Sequence, residues 1–419
     1  MDSLTQITLG AAVGEVVLGR KAGNRAMLWG AIGGTIPDLD VLANFSADEI
    51  SALAFHRAIT HSAAFAIVAP IALGWLVHRI YQSRENTGLR KQIPWDIAKV
   101  WLFLLTLIGL GSIVMPIPIG TTVLIALTIS TGILLFPLVI YWRELYRKTP
   151  SRNENPHWKS WSLLFFWAIF THPVLDCCTT YGTQFFRPFF DYRVAFSNIS
   201  VVDPIYTVPF LICVIIASRY WRERKWRRYI NYLGIGLSSA YMLFTFVNKW
   251  QVDRVFEQSL QAQSIPYHRF MTTPTIFNNV LWQGVAEGDS AYYQASYSIF
   301  DNPPDIPVFT VIPKGHELLK GHEEERHIKI LKWFSDGYYC VDQRADGTLQ
   351  FSDMRFGGFE AAPGTRPDFV FKFYLTEEDG KLQAAQSRDT PENMNEAFAS
   401  LWDRMMGHKI PSIQQSEGK

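Results

Sequence analysis

The chain alternates long apolar runs with short polar stretches, and eight runs stand out, at about 4–19, 25–36, 61–80, 97–115, 119–142, 160–176, 204–221 and 229–250. A bilayer core asks for roughly 20 apolar residues per helix, so the longer runs predict membrane-spanning helices. The first two are short and joined by the basic turn GRKAGNR. They predict either two crossings or one half-membrane hairpin, giving 6–8 apolar segments in all. Gly10 and Gly14, like Gly30 and Gly34, form small-xxx-small pairs that suit close helix contact.

After residue 250 the period changes. VDRVFEQSLQAQ continues the last helix, and then NNVLWQGVAEG, AYYQASYSIFD, DGYYCVDQ and GTLQFSDMRFG alternate between Gly, Asp and Asn breaks. These predict antiparallel strands. Asp336-Gly337 and Asp346-Gly347 read as hairpin turns. KGHELLKGHEEERHIKI reads as a charged helix presenting His316, His322 and His327 to solvent, and PENMNEAFASLWDRMM as a final amphipathic helix. The predicted fold is a polytopic α-helical membrane domain over 1–250, followed by a small soluble α+β domain over 251–419.

Composition agrees with this division. Only 18% of residues are charged, against about 25% in soluble proteins, and the deficit lies in the first 250 residues. The net charge of +1 is spread over loops, which gives no footprint for nucleic acid. The four cysteines form no CxxC pattern, and the opening residues lack the basic stretch of a cleaved signal peptide. Lys and Arg are sorted by loop. One alternate set holds 19 of them, and the other holds only Arg57, Arg187 and Arg193. By the positive-inside rule the rich set is cytoplasmic, which predicts that residues 251–419 lie on the extracytoplasmic side.

The same count brings four polar clusters to the outer face: Pro37-Asp38-Leu39-Asp40, His56-Arg57-Ala58-Ile59-Thr60-His61-Ser62, Thr171-His172-Pro173-Val174-Leu175-Asp176, and the loop 176–207. Asp and His are donors suited to zinc, manganese or magnesium. His172 and Asp176, four apart, share one helix face, with Pro173 between them expected to restart or kink the helix. Asp38 and Asp40, two apart, point to one side if the segment is extended. His56 and His61 are five apart, so His56 is expected ahead of the helix that follows. Arg57, Arg187 and Arg193 are candidates to neutralise an anionic substrate and Tyr181 to orient it, and Asp203 is a further catalytic candidate. Glu15, inside an apolar run, is a further intramembrane acid.

Taken together, HRAITHS, PDLD, THPVLD and TTYGTQFFRPF–DYRVAFSNISVVDPIYT, with the opening MDSLTQITLGAAVGEVVLGRKAGNRAMLWGAIGGTIPDLD, resemble the LexA-regulated, membrane-bound, metal-dependent hydrolases of bacteria. The resemblance covers about residues 1–250. It implies an inner-membrane hydrolase with metal ligands at Asp38, Asp40, His56, His61, His172 and Asp176. Where many relatives carry a Thr-His pair, this chain has Thr5-Gln6, and Gln6 would have to offer its amide oxygen instead.

The function expected is a metal-dependent hydrolase holding a divalent metal, zinc first, at the outer interface. Its substrate would be a lipid or lipid-linked phosphoester. The rival classes are an ion-coupled transporter, disfavoured because the middle runs are almost wholly apolar, and a metal-binding envelope protein without turnover. Because the candidate ligands stand at segment ends, their replacement is expected to leave no hole in the packing.

Overall fold

The computed structural model describes residues 1–45, 48–83, 86–113, 155–301, 307–359, 366–378, 380–387, 389 and 394–407. The apolar run at 119–142 lies outside these residues. The chain divides into two compact units, one of residues 1–196 with 204–242, the other of 197–203 with 243–419.

The first unit is helical. Its helices are α1 (Ser3–Ala22), α2 (Asn24–Thr35), α3 (Glu49–Phe55), α4 (Ala63–Gln82), α5 (Thr87–Ile113), α6 (Trp158–Asp176), α7 (Pro204–Arg219) and the first part of α8 (Lys225–Ala262). Two 3-10 segments, Pro37–Phe45 and Ile59–His61, join them. Among the described residues three helices are long and apolar enough to cross a membrane: Ala63–Gln82, Gly88–Leu110 and Lys225–Ala262; Pro204–Arg219 is apolar but shorter.

The basic turn expected between the first two runs is largely helical. Asp2 caps α1 by accepting from the Thr5 amide, and the chain reverses at Gly23 alone, where φ is +59°. Any side chain there would be strained. At 12 residues, α2 is about 18 Å long, well short of a bilayer core of about 30 Å. Its glycines explain the hairpin. A Cβ on Gly10 would overlap the Gly30 carbonyl, and one on Gly14 the Ala26 carbonyl, so the two backbones touch.

The core of this unit lies among α2, α4, α5 and α6. Trp161 and Tyr81 stack with ring centroids 5.6 Å apart, Trp29 donates to the Tyr81 hydroxyl at 3.0 Å, and Phe65 and Phe165 fill the space beside them. Gly74 lets α4 approach the Ser162 backbone of α6. Contrary to expectation, α6 runs through Pro173 to Asp176 without a restart.

The second unit holds two four-stranded antiparallel sheets, each ordered as a meander. Strands β1 (Arg269–Pro274), β2 (Leu281–Glu287), β3 (Ala291–Ser298) and β4 (Thr310–Pro313) form one; β5 (Tyr339–Gln343), β6 (Leu349–Phe359), β7 (Asp368–Glu378) and β8 (Lys381–Gln386) form the other. Val285, Tyr292, Ile312, Cys340, Met354 and Phe369 make a core from both. The end of α8, from residue 243, with α9 (Arg326–Phe334) and α10 (Met394–Met405), completes the described part of the unit.

Asp346-Gly347 turns the β5–β6 hairpin as expected, with the Arg344 amide donating to the Thr348 carbonyl at 2.8 Å. Asp336-Gly337 instead ends α9, where the Gly337 amide bonds the Lys332 carbonyl at 3.2 Å. The stretch expected as one charged helix breaks into a 3-10 turn, His316–Leu319, and α9. Its histidines do not converge. His316 stacks on Tyr339, His322 bonds Glu325, and His327 accepts from the Ala384 amide.

Candidate metal centre

Three chain segments of the first unit meet at one point. The Pro37–Phe45 turn supplies Asp38, the Ile59–His61 turn supplies His61, and the last turn of α6 supplies His172 and Asp176. One donor atom from each lies within 4.8 Å of every other. His61 Nε2 is 3.1 Å from His172 Nε2, 3.5 Å from Asp38 Oδ1 and 3.3 Å from Asp176 Oδ2. His172 Nε2 is 3.3 Å from both carboxylate oxygens. A tetrahedron with bonds of about 2.0–2.2 Å has edges of about 3.3–3.6 Å, and the five separations that involve an imidazole nitrogen, 3.1–3.5 Å, lie near that range.

The outer nitrogens of the imidazoles are already committed. His172 Nδ1 lies 2.5 Å from the Gly34 carbonyl, which can only accept, so Nδ1 carries the hydrogen. His61 Nδ1 lies 3.2 Å from Asp40 Oδ2, and a carboxylate likewise accepts. In the neutral rings both Nε2 atoms therefore present lone pairs to each other and to two carboxylate oxygens. That crowding demands positive charge among them, as protons on Nε2 or as a metal ion. Asp176 Oδ2 is buried without a hydrogen-bond donor. The donor set fits a divalent cation, with carbonyl–His and carboxylate–His supports of the kind that orient metal ligands.

Asp40 belongs to this support. A 3-10 segment has three residues per turn, so Asp38 and Asp40 diverge instead of sharing one side, as an extended segment would have had them. Asp38 faces the imidazole Nε2 atoms. Asp40, 1% exposed, accepts from the Arg57 amide at 2.8 Å and the Thr60 hydroxyl at 3.0 Å. Its Oδ1 meets His56 Nδ1 at 2.8 Å. Burial alone would raise both carboxyls, but the imidazole pairing outweighs it. His172 and His61 hold Asp38, and His56 and His61 hold Asp40, well below the usual carboxylate range.

His56 and Gln6 also stand outside the four-donor set. His56 ends α3 as its C-cap. Gln6 donates its amide nitrogen to Asp176 Oδ1 at 2.9 Å, and its amide oxygen is buried without a hydrogen-bond partner. The Met1 nitrogen contacts the same Oδ1. Thus Oδ1 is held by α1 and Oδ2 faces the cluster.

Arg57 is placed by a strained backbone, with φ at +59°, a region non-glycine residues rarely enter. Its amide is held by Asp40, and its carbonyl accepts from the Gln184 amide at 3.0 Å. Its guanidinium lies 3.3 Å from Asp176 Oδ2 and donates to Thr179 Oγ1 at 2.9 Å. The Arg57 and Arg193 guanidinium carbons lie 4.9 and 4.6 Å from the Tyr181 ring centre. Arg187 is spent elsewhere, on Gln184 Oε1 at 2.7 Å and on Asp191. Asp203 is buried in the 197–203 segment, which groups with the second unit.

Three of the four cluster residues are not at a wet boundary. His61, His172 and Asp176 are 0% exposed, so replacing them with alanine would open a polar hole, contrary to the expectation from segment ends. The supports offered by the Gly34 carbonyl, Thr179 and Gln184 were not singled out from sequence. A carbonyl leaves no side-chain signal, while Thr179 and Gln184 stood inside a motif too long to rank.

A model of the YdjM inner membrane protein family matches residues 1–252, more than half of the 419-residue chain and all of the cluster. The chain belongs to the YdjM inner membrane protein family. No curated protein and no solved structure is a match. Membership in the YdjM family agrees with a LexA-regulated bacterial inner-membrane assignment and locates the protein in the inner membrane.

Proposed function

We propose that this YdjM-family protein is a multi-pass, metal-dependent hydrolase whose centre faces the outer interface and acts on a lipid or lipid-linked phosphoester. The observation that carries the reading is the four-donor cluster, with two imidazole nitrogens and two carboxylate oxygens all within 4.8 Å of one another. Two nitrogen and two oxygen donors in that geometry favour zinc, with manganese or magnesium as alternatives. A divalent cation held there supplies Lewis acidity and lowers the pKa of a water from about 15.7 toward about 7.

The chain's own groups complete the proposal. Asp38, 16% exposed at its side chain, is the side from which a substrate reaches the donors. Arg57 and Arg193, both against the Tyr181 ring, receive the phosphate and offset its developing charge. His56, 26% exposed and paired with Asp40, carries a proton to the departing oxygen. The loop bias of 19 Lys and Arg against 3 supports an outer location for this centre and for residues 251–419.

The test is elemental analysis of the purified full-length protein, coupled to phosphodiester turnover with and without chelator. One equivalent of metal and chelator-sensitive turnover support the reading. Stoichiometric metal without turnover on any phosphoester supports the envelope-protein alternative. Absence of metal overturns the centre itself.

A further inference from the structure

On α6 the ligand face is not the only patterned face. Phe166 and Phe170 are four residues apart and stack at 5.5 Å between centroids. Each precedes a metal-cluster residue, His172 or Asp176, by six positions, which is a rotation of about 120° and a rise of about 9 Å. The aromatic row continues off the helix. Phe170 meets Phe185 edge-on at 5.9 Å, and Phe185 meets Phe186 at 5.4 Å. Beyond it Phe189 and Phe190 are 78% and 65% exposed, and Phe186 is 47% exposed.

The loop holding these rings out is built, not slack. Arg187, 2% exposed, ties Gln184 and Asp191 together beneath the rim. The Gln184 amide donates to the Arg57 carbonyl at 3.0 Å, and the Ala63 amide, two residues past His61, donates to the Phe185 carbonyl at 3.0 Å. The aromatic rim is therefore fixed to the wall of the donor cluster. Apolar rings this exposed cost free energy in water, and in an inner-membrane protein hydrocarbon is the medium that relieves it.

We infer that the row Phe166, Phe170, Phe185 and Phe186, with the rim of Phe189 and Phe190, holds the hydrocarbon chain of a membrane lipid whose polar head reaches the cluster. The occupant is a lipid chain, and its use in turnover rests on the hydrolase reading above. Arg187 on this view is a positioning residue for the rim.

Two readouts test it on the full-length, metal-loaded protein. The Phe186→Ser/Phe189→Ser double variant removes exposed rings only, so metal content stays at the wild-type level. In mixed micelles its KM for a p-nitrophenyl phosphodiester bearing a C16 chain rises about tenfold, with kcat unchanged. Its turnover of bis(p-nitrophenyl) phosphate stays at the wild-type rate. Equal change for both esters, or change for neither, overturns the inference. If wild-type protein hydrolyses neither ester, the hydrolase reading fails, and lipid contact is read directly. All four native cysteines are buried, so Phe189→Cys takes a fluorophore selectively. Quenching by spin-labelled phospholipid with protection from iodide supports the lipid track, and iodide quenching overturns it.

Discussion

Replacing Asp40 with Asn tests whether the centre depends on a group that never touches the ion. Asp40 meets four groups at once: the Arg57 amide, the Thr60 hydroxyl and the Nδ1 atoms of His56 and His61. Asparagine keeps the shape and one acceptor oxygen, so the Arg57 turn and the His61 tautomer survive. What falls is the strength of the support. A hydrogen bond to a charged group contributes roughly 1.5–3 kcal/mol against roughly 0.5–1.5 for a neutral one. The loss at the His61 bond is thus about 1–1.5 kcal/mol, or about tenfold in metal affinity. Weakened second-sphere partners typically cost 10–100-fold, so we expect a Kd raised about 10–100-fold with the protein folded. Competition against a chelator of known affinity measures it, and elemental analysis fixes the stoichiometry. An unchanged Kd in a folded D40N protein would refute the support role. Asp40→Ala is the contrast. It strands the Arg57 amide and leaves the Thr60 hydroxyl and His61 Nδ1 only each other, 3.2 Å apart, in a buried site, at about 1–3 kcal/mol for each group left unpaired, and is expected to unfold the unit.

Other outcomes follow from the same geometry. Metal occupancy falls as pH drops, because both Nε2 atoms must be free of protons, and ordinary histidine titrates near about 6.5. Asp40, held below the usual range, keeps its contribution to stability until pH falls through its lowered value. Metal loss followed by equilibrium dialysis should therefore precede acid unfolding followed by circular dichroism. Gly30→Ala drives a methyl into the Gly10 carbonyl and should cost about 1–3 kcal/mol in a thermal melt; Gly236→Ala, with nothing within 4 Å, should not. Glu15→Gln leaves Arg227 buried without its bidentate partner, an expected loss of about 3–5 kcal/mol in the same melt. A reporter active only in the cytoplasm, fused after residue 407, should be silent; activity would reverse the orientation drawn from the loop charges.

Much of the membrane unit was legible because its signals are local. An apolar run of helical length marks α4, α5 and α8 with little help from tertiary structure, and the glycine pairs of α1 and α2 announced the backbone contact that Gly10 and Gly30 make. The boundary errors have one cause. GRKAGNR is basic enough to read as a loop, yet only Gly23 departs from helix, since Arg20 and Lys21 favour a helix C-terminus. In the second unit β1, β4, β7 and β8 lie outside the segments that the alternation predicts; FVFKFYL in β7 alternates, but charged TEEDGK interrupts the pattern before β8.

The donors were legible by residue type, but not their division of labour. Six residues were candidates, and sequence spacing treated Asp38 and Asp40 alike. Their roles separate through a 3-10 turn that sends one carboxylate to each side of the His61 ring, a distinction of backbone geometry that composition does not encode. Arg57 carries the same lesson further. Its left-handed backbone is unfavourable for a β-carbon-bearing residue and persists only because Asp40 and Gln184 hold it from both sides. Strain held this firmly clusters at functional sites. Here it aims one guanidinium at Asp176 and the Tyr181 face together, a placement that simple packing does not require. A relaxed turn at Arg57 would still let α4 begin at its Ser62 cap, but it would withdraw the charge from the cluster.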